Sequence, residues 1–272
     1  MKHVRANGRL APEEEFARRA LRGMGLAVEK VAESHRDGER TCDFKAIDGD
    51  ATFWVEVKTR TGDATVSEEL QREEVVLRSR PLGYSSRMAS VISRAVTQLD
   101  ALALAHGGFE ILWMMMRHPA ESELHFTQAV ATVFGSEGVF DIGGDGITRD
   151  CYFFKESRFF KHKSLDAMAV FGADRKATLC VNPFSPRAAS FRETAFFRFF
   201  EEMGREQGAI GVIEPETMEK AGLAYIADCD DIPRRDADAV MAYVQKKYGL
   251  KHPIHITLDV HSAMTLVPPT EK

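Results

Sequence analysis

The stretch Thr41-Cys42-Asp43-Phe44-Lys45-Ala46-Ile47, the turn Asp48-Gly49-Asp50, and then Thr52-Phe53-Trp54-Val55-Glu56-Val57-Lys58-Thr59 decide the fold. Two strands flank a two- or three-residue turn rich in Asp and Gly, the signature of a β-hairpin. In the second strand, Phe53, Val55 and Val57 are apolar, so they face one way. Trp54, Glu56 and Lys58 face the other. A hairpin closed at Asp48–Asp50 brings Asp43 close to Glu56. The bland alternative is an exposed sheet face on which Glu56 and Lys58 are merely solvated.

Outward from the hairpin, residues 12–24 read as a helix. Pro12 suits the first turn, Glu13, Glu14 and Glu15 complement the positive end of the helix dipole, and Gly25 stops it. Phe16, Ala17, Ala20, Leu21 and Met24 supply its buried stripe. A strand is expected at 26–32 and a turn at Asp37-Gly38. Downstream, 60–87 is polar and long for a plain connection. A helix is expected within it at Ser67–Leu77, and it could serve as a functional loop or lid. Met88–Ala105 reads as a helix. Phe109–Met116 is almost continuously apolar, as a central strand covered on both faces must be. The order helix, three strands, helix, strand gives an α/β core over residues 1–120.

Residues 121–272 are expected to form an α+β extension packed on that core. Helices are predicted at Ser122–Phe134 and Asp236–Tyr248, the second stopped by Gly249. A further helix is predicted to open on the capping box Ser190-Phe191-Arg192-Glu193 and to end near Gly204. Strands are predicted at 138–142, 151–154, 167–171, 178–182 and 255–260, with a frayed tail from Pro268.

Bulk properties narrow the function. The 272 residues are 44% hydrophobic and 28% charged, enough for a core and a soluble surface. No apolar run approaches the roughly 18–20 residues of a membrane span. Met1–Leu10 is polar with no apolar signal segment, so a cytoplasmic location is expected. A net charge of −5 argues against a uniformly basic nucleic-acid binder, but not against an enzyme that confines its cations to one groove. Cys42, Cys151, Cys180 and Cys229 form no CxxC pair and read as small buried residues. There is no GxxxxGK[ST] loop or GxSxG elbow.

Asp43 and Glu56 offer hard oxygen ligands that suit Mg²⁺ or Mn²⁺, and Lys58 offers an ammonium beside them. Metal-assisted phosphodiester hydrolysis needs those parts. At this point the sequence resembles the PD-(D/E)xK nuclease superfamily, whose fold is restriction-endonuclease-like. The matching residues are Cys42-Asp43 and Glu56-Val57-Lys58, with the leading helix Glu14-x-x-Ala17-x-x-x-Leu21-x-x-x-Gly25, all within about residues 12–117. Cys42 stands where the motif has proline. The resemblance implies a mixed central sheet flanked by helices, with Asp43, Glu56 and Glu14 as metal ligands and Lys58 as catalytic lysine. Glu13 is a near-equal alternative to Glu14. Gln98 matches a glutamine that the second helix of these enzymes often carries near the site. The expected activity is a Mg²⁺- or Mn²⁺-dependent endo- or exonuclease acting on DNA more readily than RNA, in defence or DNA repair. Cores of this kind often act as homodimers, though no interface is marked in the sequence. A non-catalytic nucleic-acid-binding or structural module on the same fold is the alternative, and an enzyme whose real site lies in the C-terminal half is a third.

Two further regions are candidates for holding nucleic acid. Lys155, Arg158, Lys161 and Lys163 interleave with Phe159 and Phe160, so cations could hold phosphates while rings stack on bases. Arg60 and Arg87 bracket the polar segment. His252, His255, Asp259 and His261 form a loose cluster expected to be ordinary surface side chains. The acidic run from Asp228 to Asp238 is explained by helix capping and a solvated loop.

Overall fold

The computed structural model describes residues 10–31, 41–61, 69, 72, 75–118, 121–172 and 176–265. The Asp37-Gly38 turn and the tail from Pro268 lie outside them, as does most of 67–74.

In chain order the elements are α1 (Pro12–Gly23), β1 (Ala27–Lys30), β2 (Phe44–Asp48), β3 (Ala51–Arg60), β4 (Val75–Pro81), α2 (Ser86–His106), β5 (Phe109–Met116) and α3 (Ser122–Phe134). Then follow β6 (Glu137–Asp141), β7 (Thr148–Tyr152), α4 (Arg158–Lys161), β8 (Leu165–Phe171), β9 (Ala177–Val181), α5 (Ala188–Arg192) and α6 (Ala195–Gln207). The chain continues with β10 (Val212–Ile213), α7 (Pro215–Lys220), β11 (Ala224–Ile226), α8 (Ala237–Tyr248), β12 (Pro253–Ile256) and β13 (Asp259–Thr265).

The centre is a mixed seven-stranded sheet in the order β1-β2-β3-β5-β8-β9-β10, flanked by helices. The hairpin forms as the sequence predicts. Asp48 pairs with Ala51, leaving Gly49-Asp50 as a two-residue loop. Gly49 has φ 55°, the left-handed region that a tight hairpin loop needs at its first position. β5 runs parallel to β3, and β8 runs parallel to β5. The alternation in β3 divides two packed layers. Trp54 joins Leu112, Met114 and Met168 against Met88, Ile92 and Leu99 of α2. Phe53 and Val55 join Ile111 and Trp113 against Ala17 and Leu21 of α1 and Phe196 and Phe200 of α6. Cover on both faces explains why β5 is apolar at almost every position.

Four expectations need correction. First, the central sheet takes β8, β9 and β10 from beyond residue 120, so a boundary there cuts through hydrogen-bonded strands. Only the four-stranded sheet β11-β7-β6-β12, with α8 against it, has a core of its own, around Val139, Phe154, Val240 and Val244. Second, Val75–Leu77 is strand, because β4 pairs antiparallel with β13 along its whole length. Third, Ser190 does not open α6. Its hydroxyl donates to the Arg187 carbonyl, while Thr194 Oγ1 accepts from Phe197 N at 3.3 Å and caps the helix. Fourth, 255–260 is not one strand: β12 pairs with β6 and β13 with β4, so the chain changes sheets between them. The expected cap and stop of α8 are present, with Asp236 accepting from Ala239 N and Gly249 in the left-handed conformation.

The aromatic stripe of α6 packs as a helix face, with Phe196 stacked on Phe53 at 5.4 Å. Its close approach to the segment before β10 depends on two glycines. A Cβ at Gly211 would sit 1.9 Å from the Phe200 carbonyl oxygen, and one at Gly204 would sit 2.4 Å from Gly211 N. Both neighbours are backbone and cannot swing away. Gly211→Ala is therefore expected to destabilise the protein by about 3 kcal/mol, at the upper end of overpacking costs. Thermal denaturation checks this, and an unchanged melting temperature would exclude so tight a contact.

Candidate active site

Asp43 lies one residue before β2, directly across from Glu56. Its backbone N–H donates to the Val55 carbonyl at 3.0 Å, and its Oδ2 accepts from Val57 N at 2.8 Å. The carboxylate is thereby fixed against the β3 backbone, leaving Oδ1 to meet Lys30 Nζ. Glu56 and Lys58 point together to the α2 side, as alternation requires. The exposed-face alternative fails here, because Glu56 is only 2% exposed. Its Oε1 accepts from Lys58 Nζ, and Lys58 Nζ also donates to Gln98 Oε1 at 3.0 Å. Glu56 Oε2 is buried without a hydrogen-bond partner among the described residues.

Glu14 reaches the same place from α1. Its Oε2 accepts from Ala11 N at 3.1 Å, and its Oε1 stands 3.3 Å from Lys30 Nζ. Lys30 Nζ in turn donates to Asp43 Oδ1 at 3.0 Å. Glu13, the near-equal alternative, stands 4.0 Å from Arg117. The structure thus brings together Glu14, Asp43, Glu56, Lys58 and Gln98. It adds Lys30, which the sequence reading missed. The register Lys30↔Phe44 is what carries that lysine next to Asp43, and only the β1–β2 pairing reveals it.

The cluster holds three carboxylates and two ammonium groups. Burial, and then the neighbouring Asp43 charge, push the Glu56 carboxyl up to about 7, with Lys58 opposing the shift. The Cys42 thiol is pushed to about 12 by burial and by the Glu56 and Asp43 charges. It stays protonated and donates to the Phe44 carbonyl, a packing role that tolerates its standing in the motif's proline position. Among the described residues, no three His, Cys, Asp or Glu side chains are gathered around a common point for a metal ion. Lys30 engages Glu14 and Asp43, while Lys58 engages Glu56. The carboxylates still suit a divalent cation. They are hard oxygen donors, one buried oxygen is unpartnered, and burial, then the Asp43 charge, makes Glu56 a weaker acid whose anion a further cation would favour.

The other candidates lie elsewhere. Arg60 ends β3, and its charge helps hold the buried His125 ring neutral, although burial is the larger cause. Arg87 is exposed in the first turn of α2. Lys155 pairs with Glu137, and Arg158 is turned inward against Tyr84, only 8% exposed. Lys161 is 3.7 Å from Glu156, and Lys163 lies over the Phe160 ring. None of the last four contacts the carboxylate cluster. His255 meets Glu137 at 3.1 Å, and His261 sits on a different sheet. No helix among the described residues is long and apolar enough to cross a membrane.

No protein-family model matches the chain, and no curated protein matches it. Among solved structures the chain is similar to Hjc, a Holliday junction resolvase from the archaeal hyperthermophile Archaeoglobus fulgidus. The identity is 18%, the match covers 40% of this chain and 69% of that one, and the TM-score is 0.26.

Proposed function

We propose that this chain is a metal-dependent nuclease that hydrolyses DNA phosphodiester bonds at the Asp43–Glu56–Lys58 cluster. The observation that carries the reading is the buried Glu56 carboxylate, with one oxygen on Lys58 and the other unpartnered, next to a backbone-fixed Asp43. A protein seldom buries such a group without using it.

Asp43 and Glu56 would hold the ion, with Glu14 assisting. A bound Mg²⁺ or Mn²⁺ supplies Lewis acidity to a phosphoryl oxygen and makes water a competent nucleophile near neutral pH. The chain's own residues do the rest. Val57 N fixes Asp43 so that Oδ1 faces the cluster. Gln98 accepts from Lys58 and so aims its ammonium, which can orient the attacking water and offset charge developing on the phosphate. Lys30 pairs with Glu14 and Asp43, and it would have to yield these oxygens to an ion held there.

The test combines binding and cleavage. Calorimetric titration of the intact chain with Mg²⁺ or Mn²⁺ is expected to show uptake that is lost in Asp43→Asn. Linear, circular and single-stranded DNA and RNA are then incubated with Mg²⁺ or with EDTA, and cleavage of DNA is expected in Mg²⁺ alone. Absence of both uptake and cleavage would leave a non-catalytic module on this fold.

A further inference from the structure

Phe153, Phe154, Lys155, Glu156, Ser157 and Phe160 line part of a cavity of 1040 Å³ that lies apart from the carboxylate cluster. α2 links the two places. Gln98 on this helix meets Lys58, whereas Tyr84, just before its first turn, lines the cavity. At ~1.5 Å of rise per residue, the separation along the helix is about 20 Å. The cavity is therefore a second site, large enough for a mononucleotide.

Its wall is aromatic and rigid. Phe184 makes edge-on contacts with Phe153 at 4.9 Å and with Phe160 at 5.3 Å. Phe153 is held at φ 61°, in the left-handed region that a bulky side chain occupies only under constraint. The constraint is visible in its neighbours. Phe153 N and Lys155 N donate to the Phe134 and Gly135 carbonyls at the end of α3, and Ser157 Oγ donates to the Val133 carbonyl. Phe160 is 50% exposed although its sequence neighbour Phe159 is fully buried. A half-exposed ring on a pinned wall, already met by the ammonium of Lys163, offers a stacking surface.

The lining carries charges of both signs, four cations and five carboxylates, of which Glu219 and Asp228 pair with Lys247 and Glu156 with Arg158. Lys220 and Arg235 are exposed, and Arg234 donates to Cys229 Sγ. They suit phosphate oxygens. Glu216 and Asp230, also exposed at the lining, can accept from the N–H groups on the edge of a base. Rings, cations and acceptors in one cavity match an unstacked nucleotide, and the ring of charges disfavours a purely apolar ligand. We propose that this cavity binds a nucleotide of single-stranded DNA, stacked on Phe160 and Phe184, and so directs the nuclease to substrates with unpaired bases. The proposal rests on the nuclease reading for its role in cleavage, but not for the binding itself.

The experiment uses the full chain in EDTA, so that nothing is cut, with fluorescently labelled 12-nucleotide single strands and 12-base-pair duplexes. Anisotropy is expected to show tighter binding of the single strand. Phe160→Ala should weaken that binding by about 5- to 100-fold, the range for loss of one base–aromatic stack, and leave duplex binding and the melting temperature unchanged. Arg235→Glu should weaken single-strand binding and flatten its salt dependence. A single strand lacking its bases should bind wild type as weakly as the normal strand binds Phe160→Ala. Unchanged single-strand affinity in Phe160→Ala, or equal losses on both DNA forms, would overturn the proposal. If wild type fails to cut in Mg²⁺ yet Phe160→Ala still loses the single strand, the pocket stands and the nuclease reading alone falls.

Discussion

Lys58→Ala is expected to lower the proposed Mg²⁺-dependent DNA cleavage by about 10²- to 10³-fold, the usual loss on removing one preorganised group that stabilises transition-state charge. Asp43→Asn is at least as damaging. The reasons differ, so two readouts separate them. Asp43 would be an ion ligand, and its Oδ2 also fixes the β3 backbone through Val57 N. An asparagine keeps that hydrogen bond through its carbonyl oxygen, so the fold survives while metal uptake in calorimetry falls. Lys58 is not a ligand. Its replacement should leave uptake intact or tighten it, because Glu56 Oε1 is released from an ammonium group. The expected pattern is thus loss of both uptake and cleavage in Asp43→Asn, and loss of cleavage alone in Lys58→Ala. Full cleavage by Lys58→Ala would remove Lys58 from the reaction. Gln98→Ala should give an intermediate loss, since Lys58 keeps its charge but loses the acceptor that aims it.

The hairpin and the core around it could be read from local pattern. β2 and β3 alternate with period two around an Asp-Gly turn, and β5 is apolar on both faces, so each signal lies within one continuous run of chain. That legibility extended to Asp43, Glu56 and Lys58, whose meeting follows from the same alternation, whereas Gln98, which meets Lys58, was legible only through the family resemblance. What stayed hidden depends on contacts distant in sequence. β8 and β9 are short, and nothing in them announces that they extend the sheet from β5. Val75–Leu77 becomes strand because of β13, which lies nearly two hundred residues away. At α6, Ser190 and Thr194 are both competent caps, and the turn that forms α5 first decides between them. Lys30 reaches Asp43 only through strand register. The aromatic cavity draws its lining from several separated segments, so nothing local in the run from Lys155 to Lys163 tells that Lys155 and Phe160 line a pocket while Phe159 is buried and Arg158 turns inward.

Glu56→Gln is expected to stabilise the protein while abolishing its chemistry. An ordinary glutamate titrates near 4.5, as the unfolded chain would, and burial beside Asp43 raises folded Glu56 to about 7. Between those values the folded state binds the extra proton, so stability is greatest below 4.5 and falls as pH rises through 7. At ~1.4 kcal/mol per pH unit, the cost above neutrality is ~3 kcal/mol. Glutamine is nearly isosteric and carries no charge at any pH, so the variant escapes that cost. In EDTA at pH 8, Glu56→Gln should be about 2–3 kcal/mol more stable than wild type by denaturant unfolding, and at pH 4 the two should nearly coincide. A divalent ion reverses the order of effects. It stabilises wild type by offsetting the same negative charge, in proportion to its binding, and does little for the amide. If Glu56→Gln is instead less stable than wild type at pH 8 in EDTA, the Lys58 ion pair outweighs burial and Glu56 is a structural anchor. A stabilised, ion-insensitive and inactive variant means that the protein keeps a strained carboxylate for the sake of the cation it holds.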